Sequence, residues 1–195
     1  MSAPQLNPPV SAEDHVAGPD TALVTLVEYG DYECPYCGMA HAIVKRAQEK
    51  LGDRLRFVFR NFPLAEAHPH ARLAAQAAEA AGAQGKFWQM HDMLFEHQDA
   101  LEPDDVLGYA RELGLDVARM TSDLESGVYA KKVRDDFRGG VRSGVNGTPT
   151  FFVNGERYEG SWANEEAFIQ TLRTGKAALS EVQAKAKSAN PELRA

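Results

Sequence analysis

The 195-residue sequence lacks the residues that several common classes of protein depend on. It contains two cysteines, too few for a fold held by several disulfides, so any role of cysteine must concern reactivity or metal binding. Its 21 basic residues against 28 acidic ones give a net charge of −7, which argues against nucleic acid or an anionic membrane as partner. No apolar run approaches the ~20 residues that span a bilayer, so membrane insertion is not expected.

The first twenty residues also lack the features of a secretory signal. They contain no lysine or arginine and no apolar central stretch. We therefore expect a cytoplasmic protein, or a periplasmic or otherwise extracytoplasmic one if a signal has been removed.

The two cysteines, Cys34 and Cys37, are separated by only two residues. Before them, residues 22–29 are nearly continuously apolar and β-branched, which predicts a buried strand. After them, residues 39–47 are good helix formers, and Pro35 suits the first turn of a helix. Cys34 is therefore predicted at the start of a helix, where free N–H groups and the positive end of the helix dipole favour a thiolate.

This arrangement favours thiol–disulfide exchange. Cys34 would be an exposed thiolate that attacks, and Cys37, one turn deeper, a shielded thiol that resolves the bond. Two alternatives remain open. Cys34, Cys37 and His41 could form part of a zinc site, although a fourth ligand is not identified. The cysteine pair could also be inert and buried. We expect no metal and no other cofactor.

Three acidic residues lie near the cysteines. Glu28 shares a strand face with Leu26, so burial under the helix would raise its pKa and let it take up the proton of Cys37. The alternative is a glutamate at a strand end that points into water. We expect Asp31 and Glu33 to be solvated, with the charge of Glu33 opposing the thiolate.

A second motif, Gly147-Thr148-Pro149, precedes an apolar stretch late in the chain. Asn154-Gly155 then predicts a hairpin with a two-residue type I′ turn. Pro149 would open the first strand of this hairpin. An ordinary trans proline is one interpretation. The other is a cis proline packed against the cysteines, with the Thr148 backbone free to pair with an extended substrate.

The remaining segments are predicted from their hydrophobic periodicity. Residues 1–19 are expected to be a mobile lead-in with a short strand near His15, and residues 54–60 a second strand. Residues 64–141 show only helical periodicity, including a buried stripe from Phe87 to Phe95. We also expect a helix over 165–172 capped by Asn164 and a further helix over 177–187. His68 and His70 are expected at the surface or at a helix start, and His91 and His97 in the core or at the surface.

The motif Cys34-Pro35-Tyr36-Cys37 after a strand, followed late in the chain by Gly147-Thr148-Pro149, resembles the pattern of the thioredoxin superfamily. Three intervening segments, residues 61–64, 68–71 and 84–92, resemble its DsbA-like branch of oxidoreductases. The resemblance implies an α/β thioredoxin fold with an inserted all-helical subdomain. The framework would comprise residues 20–63 and 142–175, the helical insertion residues 64–141, and a C-terminal helical tail residues 176–195.

The resemblance also implies roles for individual residues. Cys34 would be the nucleophile, Cys37 the resolving cysteine, Pro149 a cis proline and Glu28 a buried proton acceptor. Tyr36 and Thr148 occupy positions where the strongly oxidising periplasmic prototype has His and Val.

The sequence therefore predicts a protein thiol–disulfide oxidoreductase. Its partners would be protein thiols or disulfides and an unidentified redox-recycling partner, with Pro35, Tyr36, Thr148 and Pro149 contacting the substrate. An apolar groove beside Cys34, formed by residues 62–64 and exposed members of the helical stripes, would hold unfolded or extended polypeptide. The alternative is a non-catalytic module of the same fold that binds metal or a partner through the cysteine pair. A glutathione-dependent transferase or isomerase is less favoured, because such relatives usually lack the second cysteine.

Overall fold

Two neighbouring parallel strands form the centre of the sheet. The structure, a computed structural model, describes residues 4–176. The strands are β1 His15–Ala17, β2 Val24–Gly30, β3 Leu55–Asn61, β4 Thr150–Val153 and β5 Glu156–Arg157. Their order is β1-β3-β2-β4-β5, with β2 and β3 parallel and every other neighbouring pair antiparallel. β2 and β3 are largely buried on both faces, and apolar residues are the majority in both strands.

Seven α-helices accompany this sheet within residues 4–176. They are α1 Pro35–Leu51, α2 Ala71–Gly82, α3 Phe87–Glu96, α4 Pro103–Glu112, α5 Val117–Ser126, α6 Ala130–Arg142 and α7 Glu165–Thr174. Helix α1 and a short 3-10 turn, Gly52–Arg54, make the crossover from β2 to β3. Helices α2 to α6 follow one another between β3 and β4, so the predicted helical block inside the β-α framework is confirmed. The α/β thioredoxin fold expected from the resemblance is the observed fold.

The sheet has a buried core on each face. Leu55, Phe57 and Phe59 point to the same side, as their alternation predicts, and pack with residues of α1, α3 and α7. Val27 and Val58 point to the opposite side, where residues of α6 and of the N-terminal segment cover them. The two core faces fix the register of the strands, since a slip of one residue would exchange them.

The N-terminal segment differs from the mobile lead-in that its composition predicts. The Leu6 N–H donates to the Gly155 carbonyl at 2.8 Å, next to the β4–β5 turn. The guanidinium of Arg60 donates to the Pro8 carbonyl at 2.8 Å and to both carboxylate oxygens of Asp14 at 2.7 and 2.9 Å. Arg60 is only 3% exposed. A buried arginine requires such acceptors, and the N-terminal segment supplies them.

The local turn and cap predictions are confirmed. Asn154 and Gly155 join β4 to β5 with φ angles of 49° and 86°, the left-handed values of a type I′ turn. The Asn164 side chain accepts a hydrogen bond from the Ala167 N–H at the start of α7. The predicted helix over 177–187 lies outside the described residues. No helix among residues 4–176 has the length and apolar character needed to cross a membrane.

Candidate active site

Cys34 is the N-cap residue of α1. Its backbone is extended, with φ −75° and ψ 120°, and Pro35 is the first residue of the helix. The N–H groups of Cys37 and Gly38 donate to the Cys34 carbonyl at 3.0 and 3.1 Å, which closes the first helical turn. No acidic residue lies in that turn. The sulfur therefore lies at the positive end of the helix, as the sequence predicts.

Hydrogen bonds lower the pKa of the Cys34 thiol to about 5. The largest contribution is a hydrogen bond from the Cys37 thiol, which outweighs the effect of burial. The Thr148 side chain and the backbone N–H groups of Tyr36 and Cys37 lower the pKa further. Cys34 is consequently a thiolate at neutral pH when the pair is reduced.

The expectation that Cys34 is exposed is wrong. Only 4% of the residue is accessible to solvent. The loop before β4 covers it, and the Cys34 sulfur lies 3.5 Å from the Thr148 carbonyl oxygen. The exposed residues in the first turns of α1 are instead Pro35, Tyr36 and Met39, with Tyr36 63% and Met39 57% exposed.

Cys37 has the opposite character. It is fully buried, and its sulfur accepts a hydrogen bond from the Asp31 N–H at 3.4 Å. Burial raises the pKa of its thiol well above the ordinary value, and so do the hydrogen bond to Cys34 and the charge of Glu28. Both cysteines are free thiols in this structure. The pair therefore combines an ionised sulfur with a protonated one, as the sequence predicts.

Glu28 lies in β2 with 1% of its surface exposed, between Phe59 of β3 and Phe151 of β4. Its Oε1 has no hydrogen-bond partner among the described residues. Burial raises the pKa of its carboxyl to about 8, and the charge of Cys34 adds to this shift. The alternative of a glutamate pointing into water is therefore excluded.

The loop that carries Thr148 and Pro149 lies against the cysteines. The peptide bond between these two residues is cis. Thr150 is paired with Tyr29 at the end of the β2–β4 ladder, so Thr148 lies beyond the last paired residue of the sheet. The buried Thr148 hydroxyl has no hydrogen-bond partner among the described residues, and the Thr148 side chain lowers the pKa of the nearby Cys34 thiol.

Asp31 and Glu33 are not the solvated acids that the sequence suggests. Asp31 is 1% exposed and accepts hydrogen bonds from the Leu64 N–H and from His68 Nδ1, both at 2.8 Å. Glu33 is partly buried and accepts from the His70 N–H at 2.6 Å, with His70 Nδ1 at 2.9 Å. The two histidines that were expected at a surface or helix start therefore pair with the acids that flank Cys34.

These pairs change the charge around the site. Burial lowers the pKa of His68, but the hydrogen bond and charge of Asp31 raise it more, so the net shift is upward. The hydrogen bond to Glu33 likewise raises the pKa of His70. When protonated, each imidazole compensates the charge of its carboxylate and weakens the repulsion between that carboxylate and the Cys34 thiolate.

Gln98 is a site residue that the sequence analysis missed. Its Nε2 donates to the Tyr32 carbonyl at 2.7 Å and to the Cys34 carbonyl at 2.9 Å. It reaches the site from the loop between α3 and α4. Gly38 makes room for this side chain, because a Cβ at Gly38 would clash with Gln98 Oε1. No local signal in the sequence marks this contact.

Residues 63 and 64 line a groove as expected, but Cys34, Thr148 and Pro149 do not belong to its lining. A groove of about 830 Å³ is lined by Pro63, Leu64, Val133 and Phe137, among others. Phe62 does not line it, because its buried ring stacks on Phe137 with centroids 4.3 Å apart.

The zinc arrangement that would unite Cys34, Cys37 and His41 is not observed. Among residues 4–176, the one group of three potential ligands within reach of a common ion is His41, His91 and Asp92. Neither cysteine belongs to it. The structure therefore gives no support to metal binding by the cysteine pair.

Comparison with known proteins identifies the family. The family model described as Thioredoxin matches residues 11–171, so the chain belongs to the thioredoxin family. Three solved structures share its fold. BdbD from Bacillus subtilis is 27% identical with a TM-score of 0.78, covering 89% of this chain and 97% of that one. A thioredoxin-like oxidoreductase from Silicibacter pomeroyi is 32% identical with a TM-score of 0.74, covering 86% and 95%.

The third structure, alpha-DsbA1 from Wolbachia pipientis, has a TM-score of 0.72 and covers 85% of this chain and 92% of that one. At 18% identity it shows the shared fold alone. The expected resemblance to DsbA-like proteins is thus confirmed at the level of the fold. These comparisons give no support to the expected cytoplasmic location.

Curated relatives contain this domain as part of a longer chain. A protein named Na(+)/H(+) antiporter NhaA 1 from Salinispora arenicola is 52% identical over 151 residues, which are 76% of this chain and 23% of that protein. A protein named Na(+)/H(+) antiporter NhaA from Herminiimonas arsenicoxydans is 48% identical over 158 residues, 80% of this chain and 25% of that protein. The chain thus spans about a quarter of the length of these relatives.

Proposed function

We propose that this chain is a protein thiol–disulfide oxidoreductase whose redox pair is Cys34 and Cys37. The observation that carries the proposal is the opposite ionisation of two adjacent sulfurs. The pKa of Cys34 is lowered to about 5, while that of Cys37 is raised well above its ordinary value. An attacking thiolate beside a protonated, shielded thiol is the arrangement that disulfide exchange requires.

In the reductive direction, the Cys34 thiolate attacks one sulfur of a substrate disulfide. The substrate S–S bond breaks, one substrate sulfur leaves as a thiolate, and the other is joined to Cys34 as a mixed disulfide. Cys37 then loses its proton to Glu28 and attacks the Cys34 sulfur. The second substrate sulfur leaves, a Cys34–Cys37 disulfide forms, and the substrate has gained two electrons. Oxidation of a substrate dithiol follows the reverse path.

Glu28 is suited to this proton transfer by its pKa. A carboxyl with a pKa of about 8 takes up and releases protons close to neutral pH. An ordinary solvated glutamate would stay ionised throughout the cycle. Because Glu28 is buried below the helix that carries both cysteines, it can take up the proton of Cys37, which bulk water does not reach directly.

We propose that an extended polypeptide is the substrate. Its backbone would pair with Thr148, which lies beyond the last residue pair of the β2–β4 ladder. Its side chains would contact Pro35, Tyr36 and Pro149. The high exposure of Tyr36, two residues after Cys34 in the chain, supports such a contact surface. The partner that restores the redox state of the cysteine pair would also react at the Cys34 sulfur.

The test is to trap the mixed disulfide with Cys37→Ser. Without a resolving thiol, adducts of substrate proteins or of a disulfide-bonded model peptide should accumulate on Cys34. They are measured by mass spectrometry and by electrophoresis with and without reductant. The matched control is Cys34→Ser, which retains Cys37 and should form almost none because that thiol is protonated and buried. Equal adducts from both variants, or none from either, would contradict the proposal.

A further inference from the structure

A second cluster of potential ligands lies where α1 packs on α3. His41 is one helical turn beyond Cys37 on α1, and His91 and Asp92 are neighbours on α3. One ligand atom from each of the three residues lies within 4.8 Å of the other two. The disulfide-exchange mechanism uses none of these side chains.

His41 is the observation that points to a ligand. Its side chain is 9% exposed, and its Nε2 is buried without a hydrogen-bond partner among the described residues. The nearest acidic atom, Asp92 Oδ1, lies at 3.5 Å. The ring is packed against Phe95 and His91, with centroids 5.0 and 5.3 Å away. A buried ring nitrogen without a partner is costly, and a bound cation would satisfy it.

The other two ligands are held by neighbours that leave a ligand atom available. The Tyr32 hydroxyl is 3.0 Å from His91 Nδ1, so Nε2 is the ring nitrogen left for an ion. Lys45 Nζ donates to Asp92 Oδ2 at 2.8 Å, which leaves Oδ1 facing His41. Outer partners of this kind orient ligands in known metal sites.

We propose that His41, His91 and Asp92 bind a divalent transition-metal ion, with Zn²⁺ as the best match. Two imidazole nitrogens and one carboxylate oxygen are a common ligand set for this ion, with water at the fourth position. Tetrahedral bonds of about 2.05 Å place ligand atoms about 3.3 Å apart, close to the 3.5 Å between His41 Nε2 and Asp92 Oδ1. The ligand atoms all lie within 4.8 Å of one another, so the separations from His91 must close by at most about 1.5 Å. The Asp92 side chain, 38% exposed, has the freedom to move toward His91.

The surrounding charges favour a cation. Lys45 is the positive group at the site, and it is offset by Asp92 and by Glu96, which lies 3.8 Å from Lys45 Nζ. Asp92 and Lys45 are partly exposed and Glu96 is exposed, so the ion would enter from the side of these three residues. The ion would join α1, the framework helix that carries the cysteines, to α3 of the helical block. It would thereby stabilise the packing of these two helices.

The experiment uses Cys34→Ser/Cys37→Ser protein, so that the thiols cannot bind the metal. Zn²⁺ affinity is measured by competition with a chromophoric chelator, and Co²⁺ is added as a spectroscopic probe. We expect one ion per chain and a tetrahedral Co²⁺ spectrum that lacks a thiolate charge-transfer band. This background also separates the inference from the proposed function, which depends on the cysteines that have been removed.

Ligand variants decide the result. Asp92→Asn and His41→Asn should each weaken Zn²⁺ binding by more than the roughly 10–100-fold that loss of an outer partner costs. Glu96→Gln is the matched control, because it removes a negative charge from the same helix without removing a ligand, and it should bind nearly normally. If His41→Asn does not fold, the partly exposed Asp92→Asn decides. Absence of binding, or equal weakening in Asp92→Asn and Glu96→Gln, would overturn the inference.

Discussion

The sulfur of Cys34 lies 3.5 Å from the carbonyl oxygen of Thr148, a residue 114 positions further along the chain. This contact joins the N-terminal end of α1 to the loop before β4. It covers the Cys34 sulfur, and it brings next to that sulfur the backbone segment that we propose for substrate pairing. In the proposed function, reactivity and substrate position therefore both depend on one contact between distant parts of the chain.

The ionisation of Cys34 should be visible directly. In the reduced protein, thiolate absorbance or the rate of alkylation should rise with a midpoint near pH 5, against about 8.5 for an unperturbed thiol. Cys37 does not interfere, because its pKa is raised. Thr148→Val should move the midpoint upward, since a hydrogen bond to the thiolate is lost, whereas Thr148→Ser should keep it low. A midpoint that is the same in both variants would show that the hydroxyl has no effect.

Glu28 should make stability depend on pH. Its pKa of about 8 in the folded state is above the ordinary 4.5, so the folded protein holds a proton that the unfolded chain has released. The stability from this group is complete below about pH 4.5 and is lost as the pH rises through about 8. Glu28→Gln should remove this decrease, which is on the order of a few kcal/mol.

The measurement for Glu28 is the free energy of unfolding by denaturant between pH 4 and 9. Cys34→Ser/Cys37→Ser protein serves as the reference, because burial remains the main cause of the shift when the thiols are absent. A Glu28→Gln profile parallel to the reference would contradict the buried, protonated carboxyl.

Gly38 and Gln98 should show strong coupling. Gly38→Ala alone should destabilise the protein, because the new methyl group clashes with the Gln98 amide oxygen. Gln98→Ala alone should cost about 1–3 kcal/mol, since two hydrogen bonds to the active-site loop are lost. In the Gln98→Ala background, Gly38→Ala should become neutral or stabilising by up to about 1 kcal/mol, the helix preference of alanine.

Denaturant unfolding of the four proteins in this double-mutant cycle gives the coupling energy. Gln76→Ala is the control for loss of a glutamine, because Gln76 is bonded only to the Arg72 carbonyl of its own helix at 3.3 Å. Additive effects of the Gly38 and Gln98 changes would show that the two residues do not meet.

His68 should contribute a second pH-dependent part of stability. Its pKa is raised in the folded state by Asp31, so the stability it supplies is complete below about pH 6.5 and is lost as the pH rises through the folded value. His68→Asn should therefore lower the free energy of unfolding more at pH 6 than at pH 9. A constant penalty for His68→Asn across this range would exclude the charged pair.

The sequence by itself determined the features that act over a few residues. A buried strand followed by a helix start around Cys34 and Cys37 predicts one ionised and one protonated sulfur. The Asn154-Gly155 turn, the Asn164 cap and the buried stripe of α3 follow from local backbone and periodicity rules in the same way. These predictions succeed because their physical causes lie within one turn or one strand.

Only the tertiary structure decided which distant side chains meet. It covered Cys34 with the Thr148 loop, paired Asp31 with His68, brought Gln98 to the active-site loop and joined His41 to the pair on α3. No local pattern encodes these contacts, because they depend on how separate helices and loops pack on the two faces of the sheet. Solvation was misjudged for Cys34, Asp31 and Glu33 for this reason: burial is set by neighbours that the local sequence does not contain.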